Sequence, residues 1–265
     1  MTSEITFSFG ENWMDFNKYL TPEDIRKAKE DLITWVGKEN IQGKRILDIG
    51  CGSGIHSLGL YELGASELIS FDYDKYSVAA TLSQWARYNK PANWKVVEGS
   101  VLDKEFIQQF GKFDLVYSWG VLHHTGNMWQ AINNALSLVN ENGYLYITIY
   151  KDDNYQHSIK TKENFNAASK LGKKIIIYRE ILKIMAKRAA RLKNPFTWNQ
   201  KIERGMNIYH DLVDWLGGLP YEAASEDEIL QWSIANKLQL LRILCKGNYG
   251  SCNYYLFRKK TSTVS

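Results

Sequence analysis

The chain has 265 residues, of which 45% are hydrophobic, 13% aromatic and 23% charged, and its formal net charge is +4. These values are typical of a globular chain that buries one core, and no apolar run approaches the roughly 18 residues of a membrane span. Because a basic and then apolar leader is missing and the cysteines (Cys51, Cys245, Cys252) lack a metal-binding spacing, we expect a cytoplasmic protein with reduced thiols.

The predicted elements alternate between helix and strand from residue 45 onward. A leading helix over 21–37 has Thr21 as its N-cap and Pro22 at its first position. The strand-like runs that follow are "RILDIG", "ELISFDYD", "WKVVEG", "FDLVYSWG" and "NENGYLYITIY", the last of which opens with a turn. Helical patterns separate them, so the sequence predicts an α/β fold with a parallel, doubly wound sheet.

The alternation ends at residue 150. Residues 151–224 carry helical patterns, and a helix in "EDEILQWSIANK" and two strands in "LQLLRILCK" and "SCNYYLFRK" follow. Strands joined by a short turn pair antiparallel, which predicts a mostly parallel seven-stranded sheet with an antiparallel C-terminal edge. The chain is thereby divided into an N-terminal segment (1–44), a core (45–150 and 225–265) and a helical insertion (151–224).

A glycine-rich turn follows the first predicted strand in "LDIGCGSG". Glycine lets a ligand approach the backbone closely, and the N-terminus of the next helix attracts anions. The dinucleotide fingerprint GxGxxG needs its third glycine one residue after Gly54, and the triphosphate loop GxxxxGK is missing. Asp48 precedes the turn, repels phosphate and suits a cation, so a pyrophosphate ligand is disfavoured.

Two later positions complete the predicted pocket. Asp72 lies 18 residues after Gly54, where a carboxylate accepts the hydroxyls of a ribose. Ser100 and Val101 follow the third strand, where an adenine edge would lie. A pocket for ribose, adenine, a cation and a carboxylate, without phosphate, fits S-adenosylmethionine.

Five motifs, "LDIGCGSG", "FDYD", "VVEGSVLD", "FDLVYSWGVLHHTG" and "NENGYLYITIY", resemble class I S-adenosylmethionine-dependent methyltransferases in order and spacing. "SWGVLHHTG" and "YHDLVDWLGG" also resemble a bacterial subgroup of ubiquinone-methylase-like proteins. The resemblance implies a Rossmann-like methyltransferase sheet with S-adenosylmethionine as cofactor. It assigns cofactor binding to Asp48, Gly50, Cys51, Gly52, Gly54, Asp72, Tyr73, Ser100, Val101, Ser118 and Trp119.

The resemblance also implies a role for each part of this set. Asp48 and the glycine backbone hold the methionine part, Asp72 the ribose, and Tyr73 packs on the adenine. Ser100 stands where the family usually has Asp, which weakens the contact with the adenine amino group, and the Val101 N–H meets an adenine nitrogen. Ser118 and Trp119 border the amino-acid part and the methyl group.

Three histidines are candidate bases, since imidazole has a suitable pKa. His123 and His124 follow the fourth strand, near the expected methyl group, although they could instead pack or cap the next helix. His210 and Asp214 are four residues apart on one helical face, with Asp211 beside them. This group is interpreted either as a base with its orienting acid or as a buried polar contact that fixes the insertion.

Three further observations concern the substrate side. Tyr150 ends the fifth strand and is expected to face the same cleft, and Trp13 is a candidate lid over the cofactor or a staple of the leading helix. Asp153 and Asn154 resemble the Mg²⁺ ligands of catechol-type methyltransferases, but the aspartate needed at the end of the fourth strand is missing. We therefore predict no metal.

The insertion is basic, with 13 Lys/Arg against 3 Glu between residues 158 and 204. Within 175–192, Arg179, Lys183, Lys187 and Arg191 recur every four residues. They form a solvated face, or they bind an anionic substrate, a membrane surface or nucleic acid. Nucleic acid is disfavoured because the adenine-gripping Asn-Pro-Pro-Tyr type of motif and a Pro-Cys nucleophile are missing.

These observations predict a metal-independent methyltransferase that O-methylates a polar or anionic small molecule, such as a sugar, a nucleotide-sugar or a natural-product intermediate. Methylation of nitrogen, of a peptide or of a quinone is the alternative within the same class. A non-catalytic cofactor-binding module whose basic helix binds a partner is the alternative from another class. The oligomeric state is not predicted.

Overall fold

The computed structural model describes residues 9–153, 155–196, 208–245 and 252–261. The strands are β1 (Arg45–Ile49), β2 (Glu67–Asp72), β3 (Trp94–Glu98), β4 (Phe113–Ser118), β5 (Val139–Tyr150), β6 (Leu238–Leu244) and β7 (Cys252–Lys259). The helices are α1 (Phe9–Asn17), α2 (Pro22–Trp35), α3 (Ile55–Glu62), α4 (Lys75–Arg87), α5 (Lys104–Gln108), α6 (Met128–Ser137), α7 (Tyr155–Ala167), α8 (Lys170–Ala190), α9 (Ile208–Gly217) and α10 (Glu226–Ala235). Short 3₁₀ turns cover Lys38–Asn40 and Leu122–His124.

One seven-stranded sheet in the described part of the chain has the order β3-β2-β1-β4-β5-β7-β6. Strands β1 to β5 are parallel, and β7 is antiparallel to both β5 and β6. The mostly parallel sheet with an antiparallel C-terminal strand is confirmed. Within this C-terminal edge, β7 pairs on both sides and β6 is the outermost strand.

Local signals explain several of the helix ends. Thr21 and Asp24 form a capping box at the start of α2, and Ser225 and Glu228 form one at α10. The leading helix therefore begins as predicted and ends at Trp35. Helices α1 and α5 were not predicted, and β5 already begins at Val139, so that the predicted turn lies inside a longer strand with an irregular register.

The core lies on both faces of the sheet, as expected for a doubly wound fold. One buried cluster joins β-strand residues to α6 and α10, and the other joins them to α2 and α3. The insertion has a small core of its own, made of Phe165, Ile177, Ile181 and Leu216 from α7, α8 and α9. No helix of the described residues is long and apolar enough to cross a membrane.

Candidate functional site

The glycine turn (residues 50–54) joins β1 to α3 at the carboxyl edge of the sheet. The Gly50 and Cys51 N–H groups donate to the Phe71 carbonyl at 2.8 and 3.1 Å, so β2 holds the turn. Gly50 and Gly54 have φ values of 75° and 78°, which favour glycine. A Cβ at Gly50 would lie 2.3 Å from the Val121 side chain. The turn therefore touches the loop after β4.

Two carboxylates flank this turn. Asp48 is buried and accepts a hydrogen bond from the Ser57 hydroxyl. Burial raises the pKa of Asp48 to about 7, helped by the charge of Asp72 and opposed by the Ser57 hydrogen bond. Burial likewise raises the pKa of Asp72 to about 6, although its oxygens accept from the Gly52 and Asp74 N–H groups at 3.0 and 2.9 Å. A cationic ligand between these two acids would offset their mutual repulsion.

The residues expected near adenine lie at the same edge. Tyr73 is 60% exposed and follows Asp72 directly. The Ser100 hydroxyl accepts from the Leu102 N–H at 3.1 Å. The carbonyl of buried Val101 accepts from the Asn134 amide at 2.8 Å, which orients the Val101 peptide. None of these contacts tests the predicted roles of Tyr73, Ser100 and Val101 in adenine binding, which stay predictions.

Ser118 and Trp119 end β4 beside the turn. The Ser118 hydroxyl donates to the Ile49 carbonyl at 3.1 Å and thereby ties β4 to β1. The Trp119 ring lies 6.3 Å from the His56 ring and 6.2 Å from the Tyr254 ring, centroid to centroid. Cys51 is buried, and burial raises the pKa of its thiol well above its usual range. The thiol is therefore neutral.

Helix α1 covers the glycine turn. Trp13 is 7% exposed, and its indole nitrogen would lie 3.3 Å from a Cβ at Gly52. The Asn17 amide donates to the Ser53 and Ala80 carbonyls, both at 3.0 Å, so it ties α1 to the turn and to α4. Trp13 thus lies where the sequence predicts a cofactor lid, and that role stays a prediction.

A second group of side chains gathers where β4 and β5 end. We call it the aromatic cluster, and its members are His123, His124, Tyr150, Tyr155, Lys162, Trp215 and Tyr221. His123 is fully buried, and its ring centroid lies 4.1 Å from that of Tyr150 and 4.6 Å from that of His124. Neither ring nitrogen of His123 has a hydrogen-bond partner among the residues that the structure describes. A backbone group of Thr148 nevertheless lies near enough to this ring to oppose part of the lowering of the His123 pKa.

The neighbouring His124 is oriented by the chain. Its Nδ1 lies 2.7 Å from the Pro220 carbonyl, and because a carbonyl only accepts, the proton is on Nδ1. Burial lowers the pKa of His124 to about 3, and the charge of Lys162 adds to this. Burial also lowers the pKa of His123 well below its usual range, with His124 and Lys162 contributing. Both imidazoles are therefore neutral at physiological pH.

Lys162 is the functional candidate that the sequence did not reveal. It is fully buried, and its ammonium donates to the Trp215 carbonyl. Its Nζ lies 4.8 Å from the ring centroids of both Trp215 and Tyr221 and 5.7 Å from that of Tyr150. Burial lowers the pKa of Lys162 to about 7 against the attraction of Asp214. The amine thus titrates near neutrality inside an aromatic enclosure.

Helix α9 also faces the aromatic cluster. Burial raises the pKa of Tyr150 well above its usual range, and the charges of Asp214 and Asp211 contribute. Of the predicted His210–Asp214 pair, the His210 side chain lies outside the described residues, so its role stays a prediction. Within the described ranges, no three His, Cys, Asp or Glu side chains group as metal ligands.

Comparisons with known proteins agree on one class. A model of the methyltransferase-domain family matches residues 21–192. The chain is 26% identical over 147 residues to the ubiquinone biosynthesis O-methyltransferase of Pelagibacter ubique, covering 52% of this chain and 59% of that protein. It is 30% identical over 109 residues to the tRNA U34 carboxymethyltransferase of Campylobacter hominis, covering 41% of this chain and 36% of that protein.

A third relative matches a shorter segment. The chain is 40% identical over 57 residues to the ribosomal protein L11 methyltransferase of Colwellia psychrerythraea, covering 22% of this chain and 20% of that protein. The chain therefore spans between a fifth and three fifths of the length of these relatives. Such partial coverage leaves the substrate of the whole protein open.

Solved structures show the same fold. Magnesium protoporphyrin IX methyltransferase from Synechocystis, with bound S-adenosylhomocysteine, has a TM-score of 0.56 at 15% identity, covering 96% of this chain and 95% of that one. The N-methyltransferase NodS from Bradyrhizobium japonicum, also in complex with S-adenosylhomocysteine, has a TM-score of 0.55 at 13% identity, covering 97% and 99%. The predicted Rossmann-like methyltransferase sheet is thereby confirmed.

Proposed function

We propose that this chain, which belongs to the methyltransferase-domain family, is an S-adenosylmethionine-dependent methyltransferase. It binds the cofactor at the glycine turn and methylates a hydroxyl oxygen at the aromatic cluster. The acceptor is a polar or anionic small molecule. The observation that carries this proposal is the neutral, fully buried ring of His123, whose nitrogens have no partner among the described residues. It lies two residues after Val121, which contacts the glycine turn.

The cofactor residues proposed are those of the glycine turn and its two acids. Burial raises the pKa values of Asp48 and Asp72, and the charge of Asp72 adds to the shift at Asp48. A ligand with an ammonium and a sulfonium offsets the repulsion between these two acids. The position of Asp72 at the end of β2 suits the ribose hydroxyls. The glycines have no side chains, so a ligand can approach the backbone of the turn closely. Trp13 on α1 covers the turn.

The chemistry proposed is an in-line displacement. The bound cofactor supplies a methyl group on a sulfonium. An imidazole nitrogen of His123 would take the proton that the acceptor hydroxyl loses when its oxygen is methylated. His124 is held as the Nδ1–H tautomer by Pro220 and packs edge-on against His123. The Lys162 ammonium would favour negative charge on an acceptor oxygen held beside it, and the Tyr150 ring would shape the site.

The class of acceptor remains part of the proposal. The relatives include proteins named for a ubiquinone intermediate, a ribosomal protein and a tRNA. Nitrogen, peptide, quinone and nucleic-acid acceptors are therefore alternatives that an experiment has to separate, and the sequence argument against nucleic acid gains no support from these relatives. We place the α7–α9 insertion over the acceptor as a substrate cap, and the protein in the cytoplasm.

The test is transfer of label from methyl-labelled S-adenosylmethionine to a fractionated cell extract. We expect label in the polar small-molecule or glycan fraction with the wild type. We expect His123→Ala to reduce the initial rate at least about a hundredfold, as typical for loss of a general base, and to leave S-adenosylhomocysteine affinity unchanged.

The matched control is His157→Ala, since His157 is exposed on α7. This variant should transfer label at the wild-type rate. Label that appears in protein or nucleic acid would contradict the proposed acceptor class. A His123→Ala variant that is as fast as the wild type would contradict the assignment of the base.

A further inference from the structure

Helix α8 exposes a second apolar face. Leu171, Ile175, Tyr178 and Leu182 are 69%, 59%, 55% and 63% exposed. Their spacings of four, three and four residues place them in one row along the helix. Monomeric proteins rarely expose a contiguous row of large apolar side chains unless it meets another surface.

This row is distinct from the face that holds α8 on the protein. Ile177 and Ile181 are each 4% exposed and pack against Phe165 and Leu216. With about 100° of rotation per residue, the exposed row is displaced by roughly 100° from the packed one. The exposed row is therefore distinct from the row that packs into the insertion's core in the described part of the chain.

Basic side chains border the exposed row on both sides. Lys174 lies on one side of it, and Arg179 and Lys183 lie on the other, all of them exposed. Residues 170–191 contain a single acid, Glu180, which pairs with Lys183 at 2.7 Å. Against it stand eight basic residues, namely Lys170, Lys173, Lys174, Arg179, Lys183, Lys187, Arg188 and Arg191.

We propose that α8 docks the protein on an anionic lipid surface. The exposed row would enter the boundary between headgroups and acyl chains, while the flanking ammonium and guanidinium groups meet lipid phosphates. An apolar face bordered by Lys and Arg is what such interfacial binding requires, because apolar burial and attraction to anionic lipids add. The helix axis lies parallel to the surface in this arrangement.

The charge pattern of α8 disfavours two other partners for this surface, a second copy of the chain and nucleic acid. A second copy of the chain would bring the same basic residues against each other, and like charges repel. Nucleic acid binds through rows of basic side chains to phosphates, whereas here the centre of the surface is apolar and the basic residues form its borders. An anionic bilayer matches both parts of the pattern.

Co-sedimentation with lipid vesicles tests the proposal. We expect the wild type to bind phosphatidylcholine vesicles that contain about 30% phosphatidylglycerol, and to bind pure phosphatidylcholine vesicles at least about tenfold more weakly. The variants Ile175→Gln/Leu182→Gln and Lys183→Glu should each lower partitioning about tenfold or more, since apolar burial and charge both contribute. Binding should weaken at about 0.5 M salt, where charges are screened beyond roughly 4 Å.

The matched control is Ile234→Gln on α10, where Ile234 is 69% exposed and far from α8 in the chain. It should bind vesicles like the wild type, and circular dichroism should show all variants folded. Equal binding of the wild type and the Ile175→Gln/Leu182→Gln variant would overturn the proposal. The proposal would also be overturned if the wild type were a dimer and the Ile175→Gln/Leu182→Gln variant a monomer. The same holds if the wild type bound tRNA and only Lys183→Glu abolished that binding.

Discussion

Asp48 illustrates how the site couples proton binding to cofactor binding. Its carboxyl lies buried between the Ser57 hydroxyl and the charge of Asp72, and its pKa of about 7 means that it is partly protonated at neutral pH. The cationic methionine part of the cofactor favours the ionised form, so binding should release a proton. Asp48, which the sequence predicts to suit a cationic group, therefore also makes the affinity for the cofactor depend on pH.

The first prediction concerns S-adenosylhomocysteine affinity as a function of pH. Its dissociation constant for the wild type should rise as the pH falls from about 8 to about 6, by at most about tenfold per unit, because Asp48 becomes protonated. Asp48→Asn should bind more weakly and lose the dependence between about pH 8 and about pH 7, while the dependence near pH 6, where Asp72 titrates, stays. Isothermal titration calorimetry measures both, and a wild-type constant that does not change with pH would contradict this assignment.

Helix α1 covers the glycine turn and is held there by a contact that the sequence does not predict. The sequence indicates an N-terminal cover with Trp13, but neither a helix over Phe9–Asn17 nor its polar anchor is predicted. Asn17 provides that anchor by bonding the Ser53 and Ala80 carbonyls. Because those carbonyls belong to the glycine turn and to α4, the anchor depends on contacts 36 and 63 residues away along the chain.

Replacing this anchor should loosen the cover. Asn17→Ala removes two hydrogen bonds with carbonyls that stay buried, so we expect the free energy of unfolding to fall by about 1–3 kcal/mol. Affinity for S-adenosylhomocysteine should fall severalfold. Chemical denaturation and calorimetry measure the two effects. Met14→Ala, at a 38% exposed position of the same helix, is the control, and an equal loss of affinity in both variants would contradict a specific role for Asn17.

The elements that were predicted share one property, which is that their signal lies within a few neighbouring residues. Strands β1 to β4 are short apolar runs, and α2 carries its own capping box. Helix α5 has an N-cap at Asp103 but is only five residues long, too short to show a helical period, and the start of β5 has no comparable local signal. The position of β7 between β5 and β6 follows from pairing partners rather than from its own residues, so the sequence predicts the antiparallel pair but not which of the two strands is outermost.

At the scale of the whole molecule, the aromatic cluster joins three distant parts of the chain. His123 follows β4, Lys162 comes from α7 and Tyr221 precedes α10, and the backbone links them because the Glu222 N–H donates to the His123 carbonyl at 2.9 Å. Patterns around His123 and Tyr150 indicate function at the ends of their strands. Nothing near Lys162 in the sequence distinguishes it from the exposed lysines of the insertion, since only the tertiary fold buries it.

The buried Lys162 should influence the stability of the whole fold. Its folded pKa of about 7 lies below its usual value of 10.5, so between these values the unfolded chain binds more protons, and this group's contribution to stability rises with pH. From about pH 7 to about pH 10, the free energy of unfolding of the wild type should therefore rise relative to that of Lys162→Met. Lys160→Met on the exposed side of α7 is the control. Urea denaturation across this range measures the difference, and parallel profiles for the wild type and Lys162→Met would contradict it.

The most direct test of the central claim, that the cofactor binds at the glycine turn between Asp48 and Asp72, is calorimetric titration with S-adenosylhomocysteine. Asp72→Asn loses a charged acceptor for the ribose hydroxyls, and its affinity should fall about tenfold to a hundredfold. Asp227→Asn, at an exposed position of α10, should bind like the wild type. Equal affinity of Asp72→Asn and the wild type would place the cofactor elsewhere and contradict the account.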